Sequence, residues 1–148
     1  GDEVVYLYKE NMGDSTVRMA SFVGLRNPMY CTGVGKAILA FLPEAEKRLI
    51  VENTVYEMFT PHTLHTPQAL LADLELIRNR GYAFDEEEHE LGISCIAEPI
   101  KNKQGIAYAA ISISAPTSRL EYEKKQLLAK KICVAAERIS ELLNGSRG

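Results

Sequence analysis

No stretch of this sequence is long and apolar enough to cross a membrane; a run such as Ala37–Leu42 falls far short of the ~20 residues that a span needs. Nor does the chain open like a secretory signal, since its first ten residues carry four charges. Positive charge is not in excess either: 17 Lys and Arg face 20 Asp and Glu, for a formal net charge of −3. That is the wrong sign for a module that rests on a phosphate backbone. Cysteine is sparse and odd in number, with only Cys31, Cys95 and Cys133, too far apart for a disulfide framework or a zinc knuckle. A reducing cytoplasm is the expected compartment. Internal repeats, low-complexity tracts and linkers are also missing. What remains is ordinary globular material, 46% apolar and 25% charged over 148 residues. That amounts to one domain by the usual size of about 150 residues. A start at Gly rather than Met reads as a piece of a longer protein.

Periodicity divides the chain into strands and helices. Glu3–Lys9 and Thr16–Val23 read as a hairpin across the turn cluster Asn11–Asp14. Pro28 is expected to break the ladder because it has no N–H to donate. Gly33-Val-Gly35 opens a helix over Lys36–Leu42, and Pro43 stops it before a second short helix at Glu44–Glu52. Thr66 and Pro67 start the clearest helix, with Leu70, Leu71, Leu74 and Ile77 at helical spacing and Gly81 as its stop. A short strand at Tyr82–Phe84 and an acidic loop at Asp85–Glu90 follow. Ile93–Ile100 and Ile106–Ser114 form a second hairpin. The long helix Glu121–Leu143 carries apolar residues at 127, 128, 132, 135, 139 and 142. Hairpins plus packed helices predict an α+β fold with an antiparallel sheet.

Few residues carry chemistry. Gly33-Val-Gly35-Lys36 lacks the spacing of a nucleotide-binding P-loop, and Ala37 stands where Ser or Thr is needed. What survives is a helix start, whose unpaired N–H groups attract a carboxylate or phosphate. A tight turn that lets the helix approach the sheet explains the glycines equally well. His62-x-x-His65 and His89 supply no third ligand at helpful spacing, so neither a metal nor a cofactor is expected. Cys95 is mid-strand, where a cysteine is either a small hydrophobe or, given a base, a nucleophile. Ser112 and Ser114 share one face of their strand while Ile111 and Ile113 take the other. The hydroxyls mark either an exposed sheet face or the wall of a polar cavity.

Three blocks carry a resemblance that covers nearly the whole chain. Asn27-Pro-Met-Tyr-Cys-Thr-Gly-Val-Gly-Lys-Ala-Ile-Leu-Ala40 resembles the segment that opens the effector-binding domain of IclR-type bacterial transcription regulators. The stretch Arg78 to Pro99 is similar to that domain's second signature, and Ala110 to Pro116 to its third. The resemblance implies a GAF-like or profilin-like fold, a curved antiparallel sheet flanked by helices. It implies no enzyme but a sensor of small metabolites, a keto acid or a sugar acid, in a repressor of a carbohydrate or organic-acid catabolic operon. An N-terminal winged helix-turn-helix outside this chain would read operator DNA, and a homodimer or homotetramer is expected.

By the same resemblance, the amides of Gly33 and Val34 meet the effector's carboxylate. Asp85, Cys95, Ser112 and Ser114 are the polar contacts, and Met19 is an apolar wall. Thr16 and Asn27 stand where members that sense small 2-keto acids are apolar, which points to a ligand with more hydroxyls, such as a sugar acid. The competing readings are a small enzyme using Cys95 and a pure oligomerisation module with an empty pocket.

Overall fold

In the computed structural model the described residues are 3–12, 15–21, 27–120 and 122–145; the side chains of 3–27 and of Gly145 lie outside the description. The chain forms a six-stranded antiparallel sheet built from two hairpins laid side by side. Its strands are β1 Glu3–Met12, β2 Ser15–Ser21, β3 Asn27–Pro28, β4 Ala83–Glu86, β5 Ile93–Lys101 and β6 Ala107–Pro116, in the order β3-β1-β2-β6-β5-β4. The helices are α1 Gly33–Ala40, α2 Glu44–Asn53, α3 Pro67–Arg80 and α4 Tyr122–Gly145. The α+β architecture agrees with the sequence. Among the described residues no helix is long and apolar enough to cross a membrane.

Three boundaries differ from expectation, each for a local reason. Pro28 does not break the sheet. With Asn27 it forms the outermost strand, pairing only with Glu3 and Val4 of β1, and an edge tolerates a residue without an N–H. Asp85 is not in a loop, because β4 runs on to Glu86 and pairs Asp85 with Cys95. α1 begins at Gly33 rather than Lys36, since Thr32 is the N-cap and its Oγ1 accepts from Gly35 N–H at 3.1 Å.

Alternation along the strands sends neighbouring residues to opposite faces. Ala83 and Ala97 join the main core with α1 and α3, whereas Ile96, Phe84, Ile111 and Ile113 join a second cluster with Ala129 and Ile132 of α4. Helices therefore cover both faces. α4 meets the sheet along Ala129, Ile132 and Ala136, and small side chains at two of these three positions bring its axis close. Leu127 and Leu142, expected in the apolar stripe, lie on the exposed side instead, with Val134 between them.

All eight residues of α1 are buried between the sheet and α3. α3 turns Leu70, Leu74 and Ile77 inward, and its Arg78 donates to Ala40 O at the end of α1 at 3.0 Å. Thr66 and Gly81 cap α3 as the sequence suggests: Thr66 Oγ1 accepts from Ala69 N–H, and Gly81 adopts φ 96°.

Gly35 sits where no side chain fits, because a Cβ there would lie 2.4 Å from Met29 Cα and 2.5 Å from Met29 O. Backbone cannot retreat as a side-chain tip can. Gly35→Ala is expected to destabilise the fold by about 3 kcal/mol, the upper part of the usual range for overpacking. Urea unfolding measures this directly, and a loss below 1 kcal/mol would contradict the packing described.

Candidate functional site

Five of the expected residues lie on the α1 side of the sheet. A Cβ built on Gly33 would lie 3.3 Å from the Cβ atoms of both Cys95 and Ala97, and 3.7 Å from that of Asp85. The start of α1 thus abuts β4 and β5, and the close approach alone accounts for a glycine at 33. Cross-strand pairing extends this patch: Asp85 faces Cys95, Cys95 faces Ser114, and Ala97 faces Ser112. Paired residues share a face. Gly33, Asp85, Cys95, Ser112 and Ser114 therefore belong to one surface, with Val34 buried beside them.

Burial decides what the sequence left open about the serines. Ser112 is 4% exposed and Ser114 6%, so they do not form an exposed sheet face. They lie instead on the face that α1 covers, beside Asp85 and Cys95.

Asp85 is a titratable group of this surface. Its Oδ1 accepts from Glu88 N–H at 2.8 Å, and the Cys95 thiol donates to its carboxyl. Burial pushes its pKa up to about 7, the charge of Glu88 adds to the rise, and these hydrogen bonds and Lys36 oppose it. Behind it, burial drives the Cys31 thiol up to about 12, helped by the charges of Asp85 and Glu88. Cys31 is thus held as a thiol.

Some expected members are not brought into view. Met19 stands opposite Ile111 in the register of β2 on β6, and Asn27 opposite Val4, but both side chains lie outside the described residues. On β2 it is Thr16 and Arg18 that are in register with Ser114 and Ser112. Arg18 was not singled out from sequence.

The histidines do not join the site. His65 Nδ1 lies 3.2 Å from Thr63 O, and the ring of His89 is 5.0 Å from that of Phe59. Among the described residues no three His, Cys, Asp or Glu side chains are grouped to hold a metal ion. Two open grooves of about 510 and 570 Å³ lie elsewhere, and none of the expected site residues lines either.

Two residues that sequence reasoning missed are Lys36 and Glu88. Lys36 is completely buried, and its ammonium contacts Asp73 Oδ2 at 2.7 Å, Phe84 O at 2.7 Å and the Glu88 carboxylate at 2.8 and 3.0 Å. Burial alone would lower its pKa, but Glu88 and Asp73 more than offset this and hold it above the ordinary lysine value. The signal was available: one lysine in an otherwise small and apolar helix must find acid partners when buried.

The family described as "Bacterial transcriptional regulator IclR C-terminal" matches residues 1–141. The HTH-type transcriptional regulator KdgR of Escherichia coli (strain K12) is 39% identical over 140 residues, covering 94% of this chain and 52% of that protein. The HTH-type transcriptional repressor AllR of the same strain is 46% identical over 110 residues, covering 74% of this chain and 41% of the repressor. The chain spans about half the length of the curated relatives it matches. Among solved structures, the C-terminal domain of E. coli KdgR superposes with a TM-score of 0.76 at 36% identity, covering 94% of this chain and 86% of that one. The Thermotoga maritima IclR structure gives 0.79 at 34% identity, covering 97% and 62%. These relatives are regulators, so the reading of Cys95 as an enzyme's nucleophile gives way to that of a regulatory domain. The chain belongs to the IclR family of bacterial transcriptional regulators and corresponds to their C-terminal domain.

Proposed function

We propose that this domain senses a small carboxylic acid, a keto acid or a sugar acid, and passes its presence to a DNA-reading domain outside this chain. The observation that carries the reading is the pair of buried serines on the same sheet face as Asp85 and Cys95, the face against which the start of α1 packs. The ligand's carboxylate accepts from the Gly33 and Val34 N–H groups, where the helix start presents partial positive charge. Ser112 and Ser114 bond its keto or hydroxyl oxygens, and Asp85 and Cys95 close the polar wall. The names of the relatives, HTH-type regulators and repressors, support a helix-turn-helix partner domain, a role in repression, and work in the cytoplasm. Paired operator half-sites favour a homodimer or homotetramer. Ligand binding then shifts the balance between two arrangements of the DNA readers by its differential affinity for them.

A thermal-shift series with pyruvate, glyoxylate, D-gluconate and D-galacturonate tests the reading. An acid present at about 100 times its dissociation constant stabilises the fold by roughly 2.7 kcal/mol, a rise of several degrees in Tm for a domain of this size. Ser112→Ala is expected to weaken that acid by about 1 kcal/mol, or roughly fivefold in Kd. The methyl ester of the same acid should bind far less well, having lost the charge that meets the helix start. An ester that binds as tightly as the acid would place the carboxylate elsewhere. A family of keto and sugar acids with no effect on Tm would remove the sensing role proposed for the pocket.

A further inference from the structure

Lys36 lies behind the pocket, and its three acceptor groups come from three different parts of the chain: α3, β4 and the segment after β4. Glu88 is the link from this cation to the pocket. Its carboxylate meets Lys36 and accepts from Glu86 N–H at 3.1 Å, while its own N–H holds Asp85 Oδ1 at 2.8 Å. The segment is gripped from its other side as well: the hydroxyls of Thr60 and Thr63 each donate at 2.5 Å, to Glu87 O and Glu88 O respectively. Between β4 and Glu88, Glu87 adopts φ 59°, a left-handed conformation that a non-glycine residue keeps only when its surroundings impose it.

We propose that Glu88, seated by Lys36, is the positioning residue of the ligand pocket: it fixes where the Asp85 carboxyl sits and, by its own charge, whether that carboxyl meets a ligand as a neutral donor or as an anion. The inference rests on the pocket reading above. Among the described residues, the titratable groups around Asp85 are Lys36 from α1, Cys31 just before α1, Cys95 from β5 and Glu88 itself. Lys36 and the Cys95 hydrogen bond favour the anion; burial and the Glu88 charge favour the neutral acid. A neutral Asp85 donates to a keto or carboxylate oxygen. An ionised Asp85 accepts from hydroxyls and repels a second carboxylate. Glu88 thereby tilts the pocket toward ligands that present acceptor oxygens to β4.

Two variants separate this role from a merely structural one. Glu88→Gln keeps the shape and an acceptor for Lys36 but removes the charge beside Asp85. Asp73→Asn removes a different partner of the same lysine, on α3, without touching Asp85. The readouts are the carbon NMR titration of the Asp85 carboxyl in the ligand-free domain, and the pH dependence of pyruvate and D-gluconate affinity by calorimetry. Glu88→Gln is expected to lower the Asp85 midpoint by about one pH unit and to move the pH profile of the bound acid with it. Asp73→Asn should leave both in place while lowering Tm. An unchanged midpoint in Glu88→Gln, or an equal shift in Asp73→Asn, overturns the proposal. Glu88→Asp, which keeps the charge but shortens its reach, is the second variant. The midpoint should stay raised while affinity falls at least threefold, and unchanged affinity overturns the positioning role. If neither acid binds the unaltered domain, the pocket reading fails on its own, and the ligand-free titration still decides whether Glu88 governs Asp85.

Discussion

The midpoint of thermal unfolding is expected to fall by on the order of 10 °C between pH 5 and pH 8. Two carboxyls produce this effect. Asp85 and Glu98 are 5% and 7% exposed, and burial raises each pKa to about 7. In the unfolded chain both titrate near the ordinary value of about 4. Between these limits the folded state binds more protons than the unfolded one, so stability falls as pH rises. The contribution is fully present below about pH 4, declines through the interval up to about 7, and is gone above it. One pKa unit corresponds to about 1.4 kcal/mol, so the two groups together contribute a few kcal/mol over the range tested. A domain of this size loses roughly 2–4 °C per kcal/mol. Asp85→Asn with Glu98→Gln should flatten the curve, because neither amide titrates. A Tm that is constant or rises from pH 5 to pH 8 would show that these carboxyls ionise freely in the folded protein.

Lys36→Met is expected to cost about 3–5 kcal/mol of folding stability, the usual loss when one partner of a buried ion pair is removed. The replacement fills similar volume, so packing is not the cause. What is lost is the charge that meets both Glu88 and Asp73, together with the donor to Phe84 O. Adding Glu88→Met to Lys36→Met should recover part of the loss, since the orphaned carboxylate leaves with the lysine. Denaturant midpoints of the two variants make the comparison. A double variant less stable than Lys36→Met alone would mean that Glu88 is held chiefly by Glu86 N–H and its neighbours.

How much of this was legible in the sequence differs by residue. The hairpins, the caps of α3 and the α+β class follow from alternation, helical spacing and capping residues, all of which are local signals. The shared face of Ser112 and Ser114 was also legible, because strand period depends on nothing distant. Their burial was not, since it depends on α1 lying over the sheet, which no local pattern encodes. Pro28 in an edge strand and Asp85 inside β4 were misjudged for a related reason. A residue's tolerance in a sheet depends on which neighbours it has, and neighbours come from elsewhere in the chain. The exposed Leu127 and Leu142 show the same limit in α4, where two alanines rather than the leucines face the strands. Lys36 stood inside the most conspicuous motif of the chain and was weighed only against phosphate binding. Its acid partners lie 37 and 52 residues away.

The pairing of β2 with β6 also governs when the pocket comes into being. Thr16 meets Ser114 and Arg18 meets Ser112 across about a hundred intervening residues. Closing so long a loop costs entropy before any contact repays it, and pairings of this kind slow folding toward the millisecond-to-second range. On the ribosome, the N-terminal hairpin emerges long before its partner strand exists. The face of β5 and β6 then closes against it only after β6 has been synthesised. A nascent chain therefore lacks the proposed pocket until nearly the whole domain has been translated, and on that proposal metabolite levels during most of synthesis leave no imprint on it.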